Sequence, residues 1–361
     1  MAPPGQTVLD LGPQHPTRAG VVAIDVELDE SDVIVAARVQ PGFLHRAAEK
    51  LFEVRDYRQV LMLADRHDWQ APFSGELVAA LACEQLLGLS APPRAVWLRT
   101  LLAETARIGS HLGFLTWVAH ASPDPHLAAS IRAARERWRE LMLHLSGNRL
   151  HPMLNRLGGV EASPEQRWCE AVAQWLDDVV ALPLQAGIDA LDLPPGLGVV
   201  TAEVIAQFGL SGPSVRSVGL ERDLRRDPGY LNYHRLSQHC ITSNRGDVVG
   251  RFQQFVAELH YSANLARNCL PHCLGEEPTS VKLSKIVKIP DDQTWVTIEA
   301  PLGIAGVHLV SRGGTTPWRL ALRTPTFANM NAVQALLVGV PAEHAGAVVA
   351  SMGYTIGDLD K

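Results

Sequence analysis

Chemistry-bearing side chains in this sequence come in short clusters beside glycine or proline: Gly12-Pro13-Gln14-His15-Pro16, Phe43-Leu44-His45-Arg46 with Glu49-Lys50, Arg66-His67-Asp68-Trp69, and Gly147-Asn148-Arg149-Leu150-His151. Imidazole has the ordinary pKa nearest neutrality, so such clusters suit proton transfer, although a histidine next to proline is by default a hydrogen-bonded turn residue. The 14 histidines are many for a chain with only 19% charged residues. Glu104, Arg107 and His111, spaced by three and four with Ser110 between them, share one helical face. That stripe reads either as a buried set of ion pairs or as a set of charges tuning a redox partner.

Other kinds of chemistry find no support. No phosphate-cradling Gly-x-x-x-x-Gly-Lys loop, dinucleotide fingerprint, His-Glu-x-x-His or Gly-x-Ser-x-Gly elbow is present. The five cysteines (Cys83, Cys169, Cys240, Cys269 and Cys273) are scattered and odd in number, which describes reduced thiols rather than a disulfide framework. Cys269 and Cys273 are close, but a closed metal site needs four ligands, so they read as two small buried side chains at a helix end.

These clusters must be held by a mostly helical scaffold. Residues 21–34 form a hairpin in which Ile24, Val26 and Leu28 alternate with Asp25, Glu27 and Asp29, the chain turning over 29–32. Amphipathic helices are predicted over 47–60 and over 75–89, the latter closed by Gly88. Pro92-Pro93 opens a long helix over 95–120 whose few charges predict burial on most sides. Further helices are predicted over 127–145, 164–181 and 247–270. Glycine and proline crowd 192–225, which specifies turns and close backbone approach. Short strands over 295–300, 307–311 and 319–323 precede a helix over 331–337. The fold class expected is α+β, predominantly α, with a central buried helical bundle and strand-rich N- and C-terminal regions. The whole of 1–361 is expected to be one domain: a hairpin and first helix over 12–60, a helical core over 61–270 and a strand and helix region over 271–361.

With 361 residues and 47% hydrophobic residues the chain can bury a large core. Its net charge of -6, without a run of five like charges, argues against nucleic-acid partners and polybasic membrane patches. No apolar stretch spans a bilayer and no secretory signal opens the chain, so composition alone points to the cytosol.

At the same clusters the sequence resembles the D subunit of NADH:quinone oxidoreductase, respiratory complex I, a fold shared with nickel-iron hydrogenase large subunits. The likeness runs from Gly12 to Lys361. It is carried by Gly12-Pro13-Gln14-His15-Pro16, Gly42-Phe43-Leu44-His45-Arg46, the segment from Ala103 to Leu112, Gly158-Gly159-Val160, Gly209-Leu210-Ser211-Gly212-Pro213, Ser311-Arg312-Gly313-Gly314, Pro317-Trp318-Arg319, Pro325-Thr326-Phe327-Ala328-Asn329 and the closing Gly357-Asp358-Leu359-Asp360-Lys361. It departs after Glu299, where the family's Arg-Gly-Glu-Leu-Gly reads Leu302-Gly303-Ile304-Ala305-Gly306. Hydrogenase chemistry is excluded, because that centre needs Cys-x-x-Cys pairs around 66–71 and at the extreme C-terminus, and neither place holds a cysteine.

The resemblance implies a chain that binds no cofactor itself and walls a quinone chamber beside a B-like iron-sulfur protein, with a C-like protein and membrane-arm proteins as further partners. It implies a place on the cytoplasmic side of the cell membrane, as a peripheral component inactive alone. Arg66 and His151 fall where the family has an arginine beside the partner's terminal cluster and a histidine whose protonation follows cluster reduction. The family's quinone-contacting histidine falls on Ala19, its quinone-contacting tyrosine on Trp69, and the aspartate supporting the histidine on Ala121. An indole N–H donates a hydrogen bond but is no usable acid, and alanine offers nothing. His67 and His120, each within two residues of a replaced position, are the candidate substitutes, whereas Arg18 stays charged. Two classes stay open: a working chamber subunit with a modified protonation route, and a degenerate paralogue serving a structural or assembly role in a related membrane-associated redox complex.

Overall fold

The computed structural model describes residues 6–8, 22–226, 229–236 and 239–361. Strand β1 (Gln6–Val8) pairs with β2 (Ala23–Leu28), and β2 with β3 (Ile34–Gln40), all antiparallel. The predicted hairpin, β2 and β3, therefore supplies the central strand and one edge of a three-stranded sheet, with Ile24 and Val26 buried and Glu27 exposed. The helix expected over 47–60 is instead two, α1 (Ala48–Phe52) and α2 (Tyr57–Ala64). Asp56 causes the break: in an extended conformation it caps α2, its side chain accepting from the Arg58 and Gln59 amides.

Helix α3 (Pro72–Leu87) starts on a proline, three residues before the expected start, and stops as expected at Gly88, which lies in the left-handed region. Helix α4 (Pro93–Ala121) runs 29 residues and is buried along most of its length, Arg94, Arg99, Glu104, Arg107 and His111 included. Helix α5 (Pro125–Ser146) packs on α4, and α6 (Gln166–Val180) on α5 through indole N–H bonds from Trp168 to Leu141 O and from Trp175 to Ala134 O, both 2.8 Å. Between these helices lies a two-stranded pair, β4 (Asn155–Arg156) and β5 (Gly159–Val160). The glycine-rich 192–225 stretch is preceded by the short helix α7 (Leu184–Asp189) and includes α8 (Ala202–Phe208) and α9 (Pro213–Arg216) among its turns.

Helix α10 (Val248–Cys269), capped by Asp247, crosses the middle of the molecule against α4, α6 and α9. Strands β6 (Asp292–Ala300), β7 (Gly303–Ser311) and β8 (Arg319–Arg323) form an antiparallel meander that packs on α3. The chain ends with α11 (Pro325–Leu336), α12 (Ala345–Met352) and α13 (Ile356–Leu359), the last two beyond the single terminal helix expected. One apolar core lies around α4, α10 and α12, another around α2, α3 and the meander. Trp138, Leu145, Tyr230 and Leu231 pack against both. The class is α+β and mainly helical, as the sequence indicates. No helix among the described residues is long and apolar enough to cross a membrane.

Candidate functional site

The stripe on α4 is an interior ion-pair network. Arg225 bridges Glu104, at 3.0 Å, and Asp223, at 2.6 Å, while the Tyr233 hydroxyl donates to Glu104. Arg216 holds Glu258 at 2.7 Å and Glu299 at 2.6 Å, and His111 Nε2 lies 3.6 Å from Glu258. Arg107 donates to the backbone carbonyls of Glu299 and Ala300. Burial opposes ionisation of Glu258, but Arg216 and the His111 contact outweigh it and hold its carboxyl well below the ordinary range. Burial likewise lowers the His111 pKa. These charges lock α4, α9, α10 and the meander together. Cys269 and Cys273 sit buried at the end of α10, Cys273 Sγ 3.3 Å from Cys269 O, and burial pushes both thiols up. Among the described residues no group of three or more His, Cys, Asp or Glu is arranged to hold a metal ion.

The surface chemistry gathers instead on the connector from α2 to α3, residues 65–71. Asp65 is fully buried, with Arg66 Nε 2.6 Å from one carboxylate oxygen and His151 Nδ1 3.4 Å from the other. The two positions that the family resemblance sets beside a partner's cluster thus meet on one buried anion. Both reach solvent, at 47% and 25% side-chain exposure, so a docked partner could touch them. Arg66 also lies 3.3 Å from Met153 Sδ. Behind Asp65, Glu76 of α3 accepts from the Asn155 backbone and side-chain amides at 2.8 and 3.3 Å. Burial first, with Asp65's charge adding to it, pushes Glu76 up to about 8.

The connector separates two cavities. Trp69, half-buried, lines one with Phe73, Arg135, Trp138, Arg149 and Leu150. Arg135 donates to Gln70 Oε1 at 2.9 Å, and burial lowers its pKa to about 10. The other, of about 190 Å³, is lined by Leu44, Arg46, Arg66, His67, Gly357 and Lys361 among others. The C-terminal residues form its far wall. Gly42 and Leu44 amides donate to the Asp360 carboxylate at 2.6 and 2.7 Å, and His45 Nδ1 lies 2.8 Å from Lys361 O. Gly357 permits this packing: a Cβ there would stand 2.4 Å from His67 O and 2.7 Å from Trp69 Cζ3.

Of the two candidate substitutes, only His67 is placed beside Trp69's connector and a cavity. It is buried, with Nδ1 2.9 Å from Asp358 Oδ1. His120 is exposed in the last turn of α4. A Cβ on Gly113 would touch the Gln70 amide, so α4 meets the connector there, and His120 lies seven residues, roughly 10 Å, further along the axis. Ala121 follows it, also exposed. Ala19, Arg18 and the Gly12-to-Pro16 motif lie outside the described residues. Asp65, Glu76 and Asp358 were not singled out by sequence reasoning. For Asp358 a signal existed, since the likeness to hydrogenases marks 66–71 and the C-terminus as the two segments that would meet at a metal centre.

Known proteins share this chain's sequence pattern and fold. The family described as "Respiratory-chain NADH dehydrogenase, 49 Kd subunit" matches residues 127–288 and 279–361. The second NADH-quinone oxidoreductase D subunit of Salinispora tropica is 40% identical over 98% of this chain and 93% of its own. The first NADH-quinone oxidoreductase D subunit of Streptomyces coelicolor is 39% identical over 98% and 95%. A solved chain from the "Structure of the membrane-bound sulfane sulfur reductase (MBS), an archaeal respiratory membrane complex" superposes with a TM-score of 0.90 at 27% identity, covering 99% of each chain. With family, relatives and fold in agreement over nearly the whole length, this chain belongs to the 49 Kd subunit family of respiratory-chain NADH dehydrogenase, the NADH-quinone oxidoreductase D subunits.

Proposed function

We propose that this chain is a peripheral component on the cytoplasmic side of a membrane-bound NADH:quinone oxidoreductase, where it walls the acceptor chamber beside a B-like iron-sulfur protein and supports electron transfer to quinone. A C-like protein and membrane-arm proteins complete the assembly, and the redox centres reside on other chains. The observation that carries this reading is the meeting of half-exposed Arg66 with His151 on buried Asp65, beside the cavity lined by Trp69. A cation and an imidazole anchored on one carboxylate and open to solvent suit a surface that borders another subunit's redox centre.

A second reading gives the chain a structural or assembly role in a related membrane-associated redox complex with altered acceptor chemistry. Trp69 and Ala121, which offer no acid where the family has a tyrosine and an aspartate, favour it, as does the structural likeness to a chain of a sulfane sulfur reductase. The native complex, purified and its subunits catalogued, decides between them. The first reading predicts co-purifying nucleotide-binding and iron-sulfur subunits, quinone-dependent oxidation of NADH and saturable binding of a quinone-chamber inhibitor. A complex that contains the iron-sulfur subunit yet binds no such inhibitor and reduces no quinone supports the second.

A further inference from the structure

Three buried titratable groups meet where the connector packs on the C-terminal helix. His67 Nδ1 is 2.9 Å from Asp358 Oδ1. Asp358 Oδ2 accepts from the Thr326 amide at 3.1 Å. Asp68 Oδ1 accepts from the Thr355 hydroxyl at 2.9 Å and from the Gln70 and Ala71 amides at 3.1 and 3.3 Å. His67 Nε2 is buried without a partner, close to Gly75 of α3. Among the described residues neither carboxylate is ion-paired with an arginine or lysine. The nearby charges are engaged elsewhere: Arg46 with Arg66 O, Arg66 with Asp65, Asp360 with the Gly42 and Leu44 amides, and Lys361 with Leu322 O.

Two buried carboxylates whose one possible cationic partner is a histidine ionise together only at a cost, because each loses hydration and repels the other. Burial and then Asp358's charge push Asp68 up to about 6, against the opposing pull of His67 and Thr355.

We propose that His67, Asp68 and Asp358 form a proton-holding cluster that serves the acceptor in place of the family residues replaced at Trp69 and Ala121. This rests on the chamber reading above. A quinone becomes a quinol by taking two electrons, supplied through the partner subunit, and two protons. The cluster gives up one of these protons through His67, which lines the cavity it shares with Leu44 and Lys361, and water filling that cavity gives the other. The cluster is then one proton poorer and is recharged from the same water. Trp69, which lines the cavity on the other side of the connector, donates no proton.

The test uses the assembled complex carrying His67→Gln, which keeps a hydrogen-bonding group but cannot titrate near neutrality, and separately Asp68→Asn. Redox-induced infrared difference spectra, recorded without added quinone, read the carboxyl C=O stretch directly. The expected result is a carboxyl band that is lost in D68N and shifted in H67Q. In parallel, quinone-dependent turnover of H67Q should fall roughly tenfold at alkaline pH, with the acid limb near wild type and electron transfer from donor to ferricyanide unchanged. Wild-type carboxyl bands and a wild-type pH profile in both variants would overturn the cluster. A wild-type complex that reduces no quinone but still shows the D68N-sensitive band overturns the chamber reading and leaves the cluster standing as a proton site for another acceptor.

Discussion

At the scale of single residues, the connector shows how one buried anion organises its surroundings. Asp65 holds Arg66 and His151 at the surface and, through its charge, helps keep Glu76 protonated behind it. Glu76 has consequences for stability that carry a definite sign. Its folded-state pKa of about 8 lies above the ordinary value of 4.5, so the folded chain binds the extra proton throughout that window. Stability from this group is complete at acid pH and declines as pH rises toward 8. Between pH 7 and 8, above most of the range where Asp68 titrates, the wild type should lose about 1 kcal/mol through Glu76, and Glu76→Gln should remove that slope. Urea unfolding midpoints at the two ends of the window check it; equal slopes in both proteins would contradict the assignment.

At the scale of elements, the site depends on helices that approach more closely than side chains allow. Helices α2 and α3 cross where Gly75 faces Ala64, and a Cβ at Gly75 would lie 1.9 Å from Ala64 O. That oxygen is backbone and cannot rotate away, so Gly75→Ala must push the helices apart. The expected cost is about 3 kcal/mol in unfolding free energy, the upper end for overpacking. Gly88→Ala offers the contrast. Its Cβ meets open space, leaving only the strain of the left-handed backbone, about 1 kcal/mol. Urea titrations of the two variants should therefore separate by roughly 2 kcal/mol; an equal loss would mean that the helix crossing tolerates the methyl. The charges on α4 work at this scale too. Glu104, Arg107 and His111 face α10 and the meander rather than solvent, so they hold elements together instead of meeting a partner.

At the scale of the molecule, the two apolar cores bring the connector, the 147–154 loop and the chain's last residues to one region. If that region borders an iron-sulfur subunit, reversing one exposed charge should disturb assembly while leaving the fold intact. Arg66→Glu places an anion next to buried Asp65, and the retained iron-sulfur subunit should drop at least about tenfold in affinity purification. Wild-type circular dichroism of the variant would show that the fold survives. Full retention of the partner would remove Arg66 from the interface.

Much of this was legible in the sequence, for local reasons. The long buried helix α4, the Gly88 stop, the hairpin at 21–34 and the α+β class follow from periodicity and turn residues, which act over a few positions. Arg66, His67, Trp69 and His151 could be singled out through the family likeness. The break at Asp56 is hidden because helical periodicity continues across a capping residue, and the two closing helices escape notice because their apolar residues are buried all round and carry no amphipathic signal. Only the tertiary structure decided which polar residues share a site. Asp65 joins Arg66 to His151 across 85 residues of chain, and Asp358 reaches His67 across 291. Such pairings are set by how helices and strands pack, and no spacing along the sequence encodes them.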